Sequence, residues 1–557
     1  MELRPCDTTS GRIPGARLTL AKLSEDVLRL IVLHLDGQDA LNTSLASKAF
    51  YDQTIVRVAA TAECSSPAEL RALHRYMLGH TDHGQVRAQY LEVLTVIDST
   101  FEDRDPDPDP EPFALCDIGA SFWNFSEARL VADILLAAPR LRELSIEGFS
   151  EIIKVDTRIE TAIKSLQSLR ATCLLRINDA SLANMSPLPN TIRELLLAYE
   201  SHSRTVPGLP TLLQALSFLP HLHTLRLSTY NRPVTVLGSS AFPILPSIRH
   251  VRLHQCHDQT ADMLIAQCPN LATLDAGFLG GGQLTHALSR RTLPWSRWTR
   301  SLRSLTVRQL DDLYPLAHCA TPCDTLCLFL DDLRVGCHGA APAGQYPPWF
   351  MAIVMSQDPL ADAIDRMLDL LRSTAPVRLE LCVGVGGGGL VGATLWARVA
   401  EAAPGIRSLS LTVSRIPEDG FAQRWEDGAL MDLPAALSPL RLEHLALWVP
   451  PCAQGEASDG ADEEDAGDEP HMAPSSLRTL CRPLVDALPH LRYLAVADAE
   501  SPVLPDADPY FEEAVLSALL YCWFRITDRE GVREIEKIWA EDGEREVAEL
   551  LGLRDVS

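Results

Sequence analysis

The chain has 557 residues, 46% of them hydrophobic, with 49 Lys and Arg against 74 Asp and Glu and a net charge of -25. That balance excludes the broad basic face a nucleic-acid partner requires, and no apolar run reaches the about 18 residues of a membrane span. The apolar fraction allows a large core, in several domains or in one long array.

Residues 1–17 mix Gly, Pro, Ser and Arg without periodicity and are expected to be disordered. They lack the apolar segment of a secretory leader. The 14 Cys, none in a Cys-x-x-Cys pair, are therefore expected as reduced thiols in a cytoplasmic and/or nuclear protein.

A dense apolar stretch follows. Ser24 can cap a helix, with Glu25 and Asp26 in its first turn. Val27, Leu28, Ile31 and Leu35 form one stripe, while Leu30 and Leu33 lie around the cylinder from it. Asp36-Gly37 ends this helix. Leu41, Asn42, Leu45 and Ala49 suggest a second, and Phe50-Tyr51 a third. So small a unit cannot bury apolar surface on two sides by itself, so one side is expected to meet a partner.

These residues resemble an F-box. Leu23-Ser24 stands where the family usually has Leu-Pro, and Glu25-Asp26-Val27-Leu28 matches its helix start. Ile31 and Leu35 match the apolar ridge, Asp39-Ala40-Leu41 the second helix, and Ser47-Lys48-Ala49-Phe50-Tyr51 the close. The resemblance implies docking on a Skp-type adaptor, and through it on cullin and RING subunits. The adaptor-binding residues it implies are Leu23, Ser24, Val27, Leu28, Ile31, Leu35 and Leu41.

Pro67 to Leu78 reads as a helix with Leu70, Leu73 and Met77 on one face. From residue 87 a short unit recurs, apolar-x-x-apolar-x-apolar. It appears as Leu91/Leu94/Val96, Leu141/Leu144/Ile146, Ile192/Leu195/Leu197, Leu222/Leu225/Leu227 and Ile248/Val251/Leu253. It continues as Leu302/Leu305/Val307, Ile406/Leu409/Leu411, Leu442/Leu445/Leu447 and Leu491/Leu494/Val496. Degenerate copies stand at Leu175/Ile177, Leu271/Leu274/Ala276, Leu326/Leu328/Leu330 and Leu379/Leu381/Val383. The last two apolar positions alternate, as one buried face of a strand must. A Pro such as Pro139, Pro404 or Pro489 often stops the preceding helix. Helices are expected at 127–138, 260–267, 361–373 and 395–403.

Helix, Pro, strand and turn, repeated, resemble a degenerate leucine-rich repeat array, with Asp258 to Leu274 the nearest single copy. Such units stack into a curved parallel sheet with helices outside. The expected fold is therefore α/β: a short all-helical F-box followed by a leucine-rich-repeat-like solenoid with a helical C-terminal cap. Expected boundaries are 18–64 for the F-box, 65–86 for a linking helix, 87–500 for the repeats and 505–557 for the cap. The cap is read as two helices, Pro509 to Ile526 and Asp528 to Leu551. Disordered insertions are expected at about 101–113 and 453–474, acidic stretches that cannot pack.

Three further patterns bear on chemistry. Gly384 to Gly392 contains Gly-x-Gly-x-x-Gly between an expected strand and helix, the context of a dinucleotide loop. The next strand ends at Ser414-Arg415 without the acidic ribose ligand that loop needs. His318, Cys319, Cys323, Cys327, Cys337 and His338 fall close together but form no complete zinc motif. No Gly-x-Ser-x-Gly or His-Glu-x-x-His is present. The reading is thus a non-catalytic substrate receptor of an SCF-type ubiquitin ligase, with no cofactor and an unknown protein substrate. A repeat scaffold without a ligase role is the alternative, and a nucleotide-dependent enzyme using the Gly384 loop a more distant one.

Overall fold

A computed structural model describes residues 24–35, 37–46, 48–81, 84–101, 123–178, 188–199, 209–228, 242–256, 263–278, 302–307, 323–330, 359–384, 393–414, 429–448, 476–497, 521–529 and 531–553. The N-terminal stretch and the 453–474 insertion lie outside these residues, as does the 101–113 insertion apart from Phe101. The chain forms two compact units, Met1–Glu200 with Phe218–His221, and Ser201–Ser217 with Leu222–Ser557.

The first unit opens with three helices, α1 (Glu25–Leu33), α2 (Gly37–Ala46) and α3 (Lys48–Val58). It continues through β1 (Thr61–Cys64), α4 (Pro67–Leu78), β2 (Val93–Val96), α5 (Ala128–Ala137) and β3 (Glu143–Ile146). Two helices, α6 (Phe149–Val155) and α7 (Arg158–Ser165), then lead to β4 (Ala171–Ile177) and β5 (Glu194–Tyr199). The five strands lie in sequence order, each parallel to the next. α4 starts where its residues require: the Ser66 hydroxyl accepts from the Glu69 amide at 3.3 Å, and Glu69 accepts from the Ser65 amide at 2.8 Å.

The register turns the repeat into a core. Ala62, Leu94, Leu144, Thr172 and Leu195 stand side by side, as do Cys64, Val96, Ile146, Leu174 and Leu197. All of these are buried, together with Val131, Ile134 and Leu135 of α5. The expected pair Leu175/Ile177 stands three residues beyond the aligned core pair, although Ile177 is buried. Thr172 and Leu174 hold the core positions, led by buried Leu169, and the ladder shifts between Leu174 and Ile177. A Thr in a Leu position hid this copy. The sheet also begins earlier than residue 87: β1 is a strand of small residues, and α4 is its outer helix.

The second unit carries β6 (Thr224–Ser228), β7 (His250–Cys256), β8 (Thr273–Phe278), β9 (Ser304–Val307), β10 (Thr325–Leu330) and β11 (Arg378–Gly384). Then come β12 (Ser408–Ser414), β13 (His444–Trp448) and β14 (Tyr493–Ala497). These nine strands are parallel and in sequence order. Helices Leu209–Ser217, Pro359–Thr374, Ala393–Ala402, Ala429–Leu437 and Ser476–Ala487 belong to the same unit. A helical turn stands at 263–266, within the helix expected there. One core column runs Leu225, Val251, Leu274, Leu305, Leu326, Leu379, Leu409, Leu445 and Leu494.

The parallel strands β2–β5 and β7–β14 begin with the same turn. Two successive amides donate to one carbonyl of the preceding repeat: Arg142 and Glu143 to Glu92, Ala272 and Thr273 to Arg249, Arg407 and Ser408 to Val377. That shared turn is what holds the strands in one register.

The helical cap expected at the C-terminal end is corrected. β15 (Tyr521–Arg529) pairs antiparallel with β14, and β16 (Val532–Ile538) antiparallel with β15. One helix, Ala540–Leu551, follows, and the region 509–520 lies outside the described residues. The ladder closes at Arg529 opposite Val532, with Gly531 at φ 80° just before the second strand. The final helix lies against the sheet face opposite the Leu columns. Its Val547 and Leu551 pack with Ala446, Ala495 and Trp523. Gly543 leaves room for the Trp523 indole, since a Cβ there would fall inside the ring's contact distance.

Candidate docking surface

Among the described residues, the three-helix unit has a small core and leaves several large apolar side chains outside it. Its buried residues are Val32 of α1, Ala40 and Ser44 of α2, and Thr54 and Ile55 of α3. The polar members return their hydroxyls to the backbone, Ser44 to the Leu41 carbonyl at 2.6 Å and Thr54 to that of Phe50 at 2.8 Å. Arg57 Nε donates to the Leu35 carbonyl at 2.9 Å, tying the end of α1 to α3. Outside this core stand Val27 (41% exposed), Leu30 (59%), Leu41 (39%) and Leu45 (77%). Spacings of three on α1 and four on α2 put each pair on one helix face. Withdrawing one such Leu from water is worth about 1.5–3 kcal/mol. A free-standing bundle would be expected to turn these four side chains inward.

The expected adaptor residues are distributed unevenly. Val27 and Leu41 belong to this exposed set, while Leu28, Ile31 and Leu35 are half-buried. Ser24 is exposed, and Leu23 lies outside the described residues. The Ser24 backbone is extended at φ -64° and ψ 153°, and its carbonyl accepts from the Leu28 amide at 3.0 Å. Its side chain makes no capping bond, so it starts the helix through the backbone alone. Leu30 and Leu45, the most exposed residues of the set, were not among the expected seven. The signal for them was Leu45 standing one helical turn beyond Leu41, and Leu30 off the main stripe.

The second unit carries a polar row on the sheet face opposite its Leu columns. His250 Nδ1 lies 2.8 Å from Thr273 Oγ1, and Arg252 Nε 3.2 Å from Asp275 Oδ2. Cys327 Sγ donates to Glu380 Oε2 at 3.1 Å, and Ser408 Oγ lies 2.8 Å from His444 Nδ1.

Burial pushes the Cys64, Cys268 and Cys323 thiols up to about 12, which keeps them protonated. Of the six His and Cys that fall close together at 318–338, only Cys323 and Cys327 are described. Cys323 is buried at the head of β10, whereas Cys327 bonds to Glu380 on the opposite face. Among the described residues no group of three or more His, Cys, Asp or Glu is placed to hold a metal ion. The Gly384 loop lies outside the described residues from 385 to 392. The strands beside it run β10, β11, β12 without the reversal of order that opens a dinucleotide crevice. No helix among the described residues is long and apolar enough to cross a membrane. The chain matches no protein-family model, and comparison with characterised proteins returned no significant match.

Proposed function

We propose that the chain is an F-box protein with degenerate leucine-rich repeats, acting as the substrate-recognition subunit of an SCF-type ubiquitin ligase. The observation that carries this reading is the exposed set Val27, Leu30, Leu41 and Leu45 on a bundle whose buried described residues are Val32, Ala40, Ser44, Thr54 and Ile55. Two apolar helix faces next to each other in sequence suit a helical adaptor surface of the Skp type. Sequence-ordered parallel strands with shared turns support the repeat half of the reading, which offers an extended face to a protein substrate. The receptor then acts by proximity, holding a substrate lysine near the charged conjugating enzyme.

Co-expression with a Skp adaptor tests it. The native chain co-purifies with the adaptor, and Leu30→Asp with Leu45→Asp lowers the association by about tenfold or more. Both positions are exposed, so thermal stability stays within about 0.5 kcal/mol of native. Association that survives the double substitution, or none with the native chain, leaves a repeat scaffold as the better description.

A further inference from the structure

The three-helix unit joins the sheet through a very short connection, from Val58 at the end of α3 to Thr61 at the start of β1. One side chain braces that junction from outside. Arg87, which opens the turn before β2, donates from Nη2 to the Tyr51 hydroxyl of α3 at 3.1 Å. From Nη1 it donates to the Tyr76 carbonyl at the end of α4, also at 3.1 Å. Its Cζ lies 4.8 Å over the Tyr76 ring. A planar guanidinium can satisfy two directions at once, which an ammonium on a flexible stem cannot do in the same geometry.

Gly79 shows that space is kept for this contact. Its φ of -68° and ψ of 153° suit any residue, so the backbone does not require glycine. A Cβ at this position would lie 2.6 Å from Arg87 Nη1, its nearest neighbour. The Gly79 carbonyl in turn accepts from the Arg87 amide at 3.1 Å.

We infer that Arg87 is a positioning residue that sets the angle between the three-helix unit and the sheet by bridging Tyr51 to the end of α4. The angle itself is a property of the free chain. Its use, holding adaptor and substrate at a fixed separation, rests on the adaptor reading above.

The test measures that angle directly in the full chain. Spin labels are placed by non-cysteine chemistry at Ala46 of α2 and Leu136 of α5, both exposed, and the distance distribution is read by pulsed double resonance. The native chain gives one narrow distribution. Arg87→Gln removes the bridge, and Gly79→Ala displaces it without altering any charge. Each broadens the distribution about twofold, as an unbraced two-residue joint samples more states. Arg87→Lys keeps the charge and broadens it as well. Unchanged width in Arg87→Gln and Gly79→Ala overturns the inference, as does full rescue by lysine. So does a fall in melting temperature with unaltered width, the mark of a merely structural residue. Adaptor binding by the same samples is scored separately: a narrow native distribution without adaptor binding sinks the ligase reading and leaves the brace standing.

Discussion

At the scale of single residues, two buried polar groups carry measurable consequences. Thr172 occupies a core position between Leu144 and Leu195, and its buried hydroxyl has no hydrogen-bond partner among the described residues. Thr172→Val has nearly the same shape without that hydroxyl, so it stabilises the first unit by about 1 kcal/mol, read from denaturant midpoints. A destabilised variant would show that the hydroxyl is satisfied. His444 is 2% exposed, stacked on Trp523 with ring centroids 5.4 Å apart. Burial first, and the nearby Arg378 charge second, pull its pKa from 6.5 to about 3. The folded imidazole therefore stays neutral where the unfolded one takes up a proton. Its contribution to stability is whole above pH 6.5 and drains away as pH falls towards about 3. The slope is about 1.4 kcal/mol per pH unit, or about 2 kcal/mol between pH 6.5 and about 5. His444→Gln flattens this part of the pH–stability curve by one proton, and an unchanged slope refutes the assignment. Neither residue stood out in the sequence, because burial, not identity, gives each its significance.

At the scale of elements, the hairpin of β15 and β16 depends on one arginine. Arg533 Nη1 donates to the Leu488 carbonyl at 2.8 Å and also to that of Val485, while Nη2 reaches Leu491. It thereby closes the end of helix Ser476–Ala487, where carbonyls lack partners along the helix. Arg533→Ala costs about 2–3 kcal/mol and raises amide exchange in β16 ahead of β12 and β13. Equal exchange across these strands would assign the hairpin's anchorage elsewhere. Most strands were legible beforehand, since Leu-x-x-Leu-x-Leu appears wherever a strand starts with its core residues intact. The exceptions have physical causes. β1 offers only Thr61, Ala62, Glu63 and Cys64, too small to read as a core. Before β15 and into it, the spacing of Leu516, Leu519, Leu520 and Trp523 in the sequence reads as a helix reaching Ile526, where the structure has a strand from Tyr521. The better signal was the aromatic and β-branched run Tyr521 to Thr527, followed by Gly531.

At the scale of the whole molecule, the net charge of -25 loads the folded chain with self-repulsion. Raising sodium chloride from about 0.01 M to about 0.3 M screens it and raises the thermal midpoint, whereas equimolar sucrose does not reproduce the early part of that rise. A midpoint that falls with salt would mean that ion pairs such as Arg407–Glu443, at 2.6 Å, outweigh the repulsion. The α/β class and the stacking of strands were legible from the number of repeats alone. The exposed apolar faces of the three-helix unit were legible as a surplus of apolar residues, but their most exposed members were not, because packing within the bundle decides which face turns outward. The turn that opens β2–β5 and β7–β14 has a wider meaning. Because two amides from one repeat share a carbonyl of the last, that junction cannot gain or lose a residue without breaking the ladder. Among the described residues, the far ends of the strands show no such shared carbonyl. β3 is followed almost at once by a helix, whereas the acidic stretch of 455–470 is spliced in after β13. A lineage of such chains can therefore drift in length at one margin of the sheet while the opposite margin stays fixed, and new segments accumulate only where they cost the ladder nothing.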